Sequence, residues 1–146
     1  MAETGRNENT ERMAKLIAMM PFARHLGMEL VETGEGYAKV RLRFQKENTT
    51  AADALHGGAI ASLIDTTGAM AAWTTAEIGT ARYVGSTVGI TANALAAVVG
   101  EDCYAEGRVL TRGKEIIYCD ARVMNEAGKL LAQGTVIYRI IERGEG

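Results

Sequence analysis

The chain has 146 residues, 47% of them hydrophobic and 23% charged, which supplies one sizeable core and gives no sign of a second domain. A formal net charge of −2, with no Lys/Arg cluster longer than two or three residues, offers nucleic acid no footing. Cys103 and Cys119 have no zinc-type spacing and read as buried reduced thiols; with no basic-then-apolar leader at the start, the expected compartment is the cytoplasm.

Residues 1–9 are polar and predict a flexible N-terminal arm, with residues 10–146 forming a single domain. Thr10 is placed to cap a short helix in which Met13, Leu16, Ile17 and Met20 recur at helical spacing, with Pro21 near its end. Residues 28–33 and 36–46 read as two strands joined at Thr33-Gly34-Glu35-Gly36. In the second, Tyr37, Lys39, Arg41 and Arg43 alternate with Ala38, Val40, Leu42 and Phe44, so one face is wet and the other belongs to the core. Residues 47–55 form a polar loop. Its Asn48, Thr49, Thr50 and Asp53 are most simply solvated, yet they lead directly into the most unusual stretch of the chain.

That stretch, His56 to Trp73, predicts a helix apolar on nearly all sides, with Asp65 its single charged residue. It is just long enough to test as a membrane span. Small and hydroxyl residues dominate it, Asp65 lies near its middle, and no aromatic belt or basic cluster flanks it, so a sheet wrapped around the helix is the better reading. Glu77 to Arg82 then makes a loop, and Tyr83 to Leu95 a long strand carrying Ser86 and Thr87. Residues 103–111, 115–126 and 129–141 follow as three antiparallel strands with hairpin connections at Thr111-Arg112-Gly113-Lys114 and Asn125-Glu126-Ala127-Gly128. About six antiparallel strands and one long central helix make the fold class α+β.

Three residues of the central stretch carry chemistry. An unpaired carboxylate in an apolar helix is costly, so Asp65 must be hydrogen-bonded, protonated or turned to a polar cleft. Gly57 and Gly58 fall where the helix begins; their N–H groups lack intrahelical acceptors, and no side chain blocks a ligand's approach. Such donors at the positive end of a helix dipole suit a developing oxyanion. The bland readings are a tight turn for the glycines and a satisfied structural carboxylate for Asp65. Gly57 and Asp65 are eight residues apart, or roughly 12 Å along one helix. If both act on one carbonyl carbon, Asp65 must come from a second copy related by a two-fold axis, two shared sites per homodimer.

His56-Gly57-Gly58 followed by Asp65 resembles the signature of the hotdog-fold acyl-CoA thioesterases of the phenylacetate-pathway type. Pro21-Phe22 with Leu26-Gly27 is similar to that family's approach to its first strand, and the likeness extends over about residues 16 to 141. The resemblance implies hydrolysis of an acyl-CoA thioester, with the Gly57 N–H as oxyanion donor and Asp65 of the partner subunit as general base or nucleophile. It further implies that His56 orients the substrate carbonyl or the loop and that Ser86 supplies a hydroxyl that helps position the nucleophilic water or the substrate. The family pattern often carries an Asn six residues before the HGG histidine; Thr50 stands there in this chain, with Asn48 two residues earlier, so Gly58, Asn48 and Thr50 join the substrate-binding candidates. Coenzyme A enters as part of the substrate, with Arg82, Arg112 and Lys114 as candidates for its phosphates. Ordinary surface charge is their simpler role. No metal or redox cofactor is implied, and fold-level analogy extends the dimer to a tetramer. Two other readings stay open: a hydratase or dehydratase, whose Pro-Gly-rich loop this chain lacks with Pro21 its sole proline, and an acyl-CoA-binding module without turnover.

Overall fold

The computed structural model describes residues 2–76 and 82–143, with side chains from residue 10 onward except that of Arg82. Two helices come first, α1 (Ala2–Ala18) and α2 (Pro21–Leu26), then strands β1 (Met28–Gly34) and β2 (Tyr37–Leu42). The long helix α3 (Gly57–Trp73) follows, and the chain closes with β3 (Arg82–Ala94), β4 (Cys103–Arg112), β5 (Ile116–Met124) and β6 (Leu130–Arg143). The strands form one antiparallel sheet in the order β1-β2-β4-β5-β6-β3, so β1 and β3 are its edges. The sheet curls around α3, which packs against every strand.

Alternation drives this wrapping. Ala38, Val40 and Leu42 of β2, Cys103 and Ala105 of β4, and Ile117, Cys119, Ala121 and Val123 of β5 are all buried on the face turned to α3. The helix sits unusually close to the sheet because small residues meet at the crossing. A Cβ added at Gly68 would lie 2.6 Å from Val136, and one at Gly107 would lie 2.8 Å from the Thr67 carbonyl oxygen. Closeness of this kind requires glycine on one side of each contact.

Two expectations need correcting. The first helix starts at Ala2 and runs through Thr10, whose hydroxyl is 2.9 Å from that of Thr33 on β1, so Thr10 ties the helix to the sheet and caps nothing. Met13 and Ile17 hold the helix down as their spacing predicts. Pro21 opens α2, where its missing N–H costs nothing. β2 stops at Leu42, and Phe44 is exposed because Arg43 to Thr49 turns away toward α2. The expected loop at Glu77 to Arg82 falls largely on residues 77–81, outside the described ones. Among the described residues no helix is long and apolar enough to cross a membrane.

Candidate active site

The start of α3 is built by His56. Its backbone is extended (φ −64°, ψ 138°), as an N-cap requires, and its Nδ1 accepts the Gly58 N–H at 2.8 Å. A Cβ at Gly58 would come within 3.0 Å of that nitrogen, so glycine there lets the imidazole reach back. Because Nδ1 is an acceptor, the proton of the neutral ring sits on Nε2. The Ala59 and Ile60 N–H groups both go to the His56 carbonyl. One amide of the first turn is left over: the Gly57 N–H has no acceptor among the described residues. Gly57 is exposed, and a Cβ there would meet nothing within 4 Å, so packing makes no demand for glycine at this position. The result is a free, unobstructed donor at the positive end of a 17-residue helix.

Two turns further along, Asp65 is half-buried, and its Oδ1 accepts the Thr87 hydroxyl of β3 at 2.7 Å. The requirement placed on this carboxylate is thus met by a hydrogen bond. Below it, at the far end of the helix, the Trp73 indole N–H donates to the Tyr138 hydroxyl at 3.1 Å. Burial pushes the Tyr138 phenol up in pKa, the bond from Trp73 partly offsets this, and the negative charge of Asp65 pushes it further up.

The hydroxyl beside Asp65 belongs to Thr87 and not to Ser86. Side chains alternate along a strand, so the two neighbours face opposite ways, and Ser86 is exposed with no bond to Asp65. The pairing of Thr87 with Tyr138 on β6, just before the register shift at Thr87/Gly89, sets this phase. Sequence reasoning named both hydroxyls on the strand but had no marker for the bulge.

The polar loop candidates divide. Asn48 is buried, with 5% exposure, and its Nδ2 donates to the Leu26 carbonyl at the end of α2 at 2.7 Å. It is a structural anchor, contrary to the solvated role its composition suggests. Thr50 is exposed, and its hydroxyl accepts the Ala52 N–H in a tight turn. Arg112 and Lys114 share a cleft of about 600 Å³ at the C-terminal end of α3, together with Thr75, Tyr83, Glu115 and Glu142. Arg112 is fastened there, its Nε donating to Thr75 Oγ1 at 2.9 Å and Nη1 to the Gly113 carbonyl at 2.8 Å. Arg82 opens β3, and its side chain lies outside the described ones.

A six-stranded antiparallel sheet wrapped around one long helix is the hotdog fold, and known proteins agree. The thioesterase superfamily model matches residues 53–132, a span that holds both Gly57 and Asp65. The chain belongs to that family and is a thioester hydrolase. Human acyl-coenzyme A thioesterase 13 is 34% identical over 131 residues, covering 86% of this chain and 91% of the relative. An Archaeoglobus fulgidus protein assigned as an esterase by name alone is 37% identical over 119 residues, covering 80% of this chain and 73% of its own. Among solved structures, a Haemophilus influenzae thioesterase superposes with a TM-score of 0.83 at 23% identity, covering 93% of this chain and 92% of its own. The PaaI protein of the Escherichia coli phenylacetic acid degradation operon does so with a TM-score of 0.81 at 20% identity, covering 93% and 95%. At those identities the likeness is one of fold.

Proposed function

We propose that this chain hydrolyses the thioester of an aryl- or fatty-acyl-CoA to the free acid and CoA, in sites shared between the two subunits of a homodimer. The observation that carries this reading is the Gly57 N–H, left without a protein acceptor and open to approach, on the same helix as a half-buried carboxylate. Roughly 12 Å of helix separates the two, too far for one acyl carbon. A two-fold axis that sets two copies of α3 antiparallel brings Gly57 of one subunit opposite the carboxylate of the other. The edge strand β3 supports such pairing, since it has a free ladder and exposes Val88 and Ile90. The human relative's name supports an acyl-CoA as substrate.

In this reading the thioester oxygen accepts the Gly57 N–H. Asp65 takes a proton from water as the water oxygen bonds to the acyl carbon, and the tetrahedral oxyanion is held at the helix start. Collapse breaks the carbon–sulfur bond and expels CoA as thiolate, whose pKa near that of cysteine, about 8.5, dispenses with a strong acid. With Asp65 as nucleophile, an acyl anhydride forms first and water then cleaves it. Thr87 donates to Oδ1 and so fixes the carboxylate, leaving Oδ2 for the chemistry. In this reading the His56 Nε2–H orients the carbonyl, and Arg112 and Lys114, which line one cleft, meet the phosphates of CoA.

The test is thiol release from a panel of aryl- and straight-chain acyl-CoAs with wild type and Asp65→Asn. Loss of hydrolysis in a folded mutant supports the reading. Tight acyl-CoA binding with no release from any substrate would move the assignment to a binding module.

A further inference from the structure

Resting on the reading above, we propose that Asn48 is a positioning residue for the Gly57 donor, acting through the backbone of His56. The residues between Asn48 and His56 make a small hairpin: Thr49 bridges Leu55, the Thr50 N–H donates to the Ala54 carbonyl at 2.7 Å, and Asp53 turns the chain in a left-handed conformation (φ 60°). The closing rung of that hairpin is the His56 N–H donating to the Asn48 carbonyl at 2.8 Å. Gly57 is the very next residue. Whatever holds the Asn48 peptide therefore sets where the first free amide of α3 points.

Asn48 is held from its other side. Its side chain is buried, and Nδ2 reaches the Leu26 carbonyl, one of the C-terminal carbonyls that α2 leaves unpaired. A buried amide is expensive to leave without a partner, so this bond pins the peptide firmly. The chain of contacts runs from α2 through the Asn48 side chain to its own carbonyl, then to His56 and Gly57. The opposite wall of the hairpin is fixed independently, by the Leu55 N–H donating to the Val98 carbonyl at 2.7 Å.

Gln45 provides a built-in control. Its Nε2 donates to the same Leu26 carbonyl at 2.8 Å and to the His25 carbonyl at 3.2 Å, yet neither its side chain nor its backbone bonds to His56. Removing either side-chain amide weakens the cap on α2; Gln45→Ala keeps the Gln45 carbonyl that accepts the Asn48 N–H at 3.0 Å, and only Asn48 bonds to His56 directly.

The experiment compares Asn48→Ala, the isosteric Asn48→Asp and Gln45→Ala by thermal melting, by hydrogen exchange at the His56 amide and by steady-state thiol release well below the melting temperatures. Both Asn48 variants are expected to raise His56 exchange at least about tenfold and to lower kcat about 10- to 100-fold with KM little changed, the size expected when a catalytic group shifts by a fraction of an ångström to an ångström. Gln45→Ala is expected to lower the melting temperature while leaving His56 exchange and kcat within about threefold of wild type. If Asn48→Ala folds only partly, Asn48→Asp, which keeps the volume, decides. Exchange and kcat near wild type in the Asn48 variants, or an equal loss in Gln45→Ala, would overturn the proposal. A wild-type chain that releases no thiol would sink the functional reading alone, because His56 exchange still reports whether Asn48 holds the helix start.

Discussion

A backbone donor cannot be deleted by an ordinary substitution, but the geometry of α3 permits one that does so cleanly. Gly57 is the first residue of the helix, the position at which proline is most welcome. The preceding residue must be extended for proline to follow, and His56 already sits at ψ 138°. Nothing lies within 4 Å of where a Cβ would stand, and the N–H to be removed has no protein acceptor. Gly57→Pro therefore breaks no intramolecular bond, and the stiffer unfolded chain should raise stability by about 0.4–1 kcal/mol. Loss of one oxyanion donor, by contrast, should lower kcat about 10²- to 10³-fold, or about 2.7–4 kcal/mol of transition-state stabilisation. Gly57→Ala, which keeps the N–H and adds only a methyl group, separates donor loss from crowding. Thermal melting and acyl-CoA thiol release should show Gly57→Pro to be as stable as wild type or more so, nearly inactive, and well below Gly57→Ala in kcat. A Gly57→Pro enzyme with kcat within about threefold of wild type would refute the oxyanion assignment.

Other perturbations test other links. Asp65→Asn should lower kcat about 10²- to 10⁴-fold, while Thr87→Val, which removes the donor to Asp65 Oδ1, should cost about tenfold and Thr87→Ser much less; steady-state kinetics separate these, and a Ser86→Ala enzyme as impaired as Thr87→Val would contradict the strand phase described above. Asp102 accepts the Phe44 N–H at 2.7 Å and bonds Arg41 at 2.5 Å, and the backbone bond first, then Arg41, lowers its pKa. Its stabilisation is then complete above the unfolded carboxylate value of about 3.9 and is lost as pH falls through the lower folded value. Asp102→Asn should therefore melt earlier than wild type at pH 6, by about 1–2 kcal/mol, and the gap should close in melts taken below about pH 4. Gly107→Ala places a methyl group 2.8 Å from the Thr67 carbonyl and should cost about 1–3 kcal/mol in denaturant titration, with little change in the activity of the folded fraction. Burial holds the Cys103 thiol up at about 12 and the Cys119 thiol at about 11, so neither should react with a thiol reagent at pH 8 until the chain unfolds.

The architecture was legible because its signals are periodic. Alternation on β2 and the hairpin glycines place the strands within a few residues of their observed ends, and the apolar run from His56 marks α3 almost to the residue. What escaped was set by contacts between segments distant in the chain. Asn48 looks like any polar loop residue until α2 is seen to end over it, with its last carbonyl in need of a donor 22 residues away in sequence. Thr87 and Ser86 are equivalent as letters, and only the register of β3 against β6 decides which meets Asp65. Thr10 has the composition of a cap, and it is a tertiary bond to Thr33 that gives it another use.

The spacing of Gly57 and Asp65 has a physical logic beyond the reach of a second subunit. A carboxylate in the first turn of a helix satisfies the free amides there, as capping residues do, and each group then neutralises the other. Moving Asp65 two turns along the same helix prevents this, and the His56 imidazole takes the Gly58 amide while leaving that of Gly57. The Gly57 N–H accordingly stays unpaired with protein, and Asp65 keeps one oxygen free of Thr87. In the two-fold dimer proposed above, the two groups would face each other across the subunit interface with the acyl carbon and a water between them. The donor and the base are then both unspent until a thioester lies between them, which is the condition for stabilisation that appears in the transition state more than in the resting enzyme.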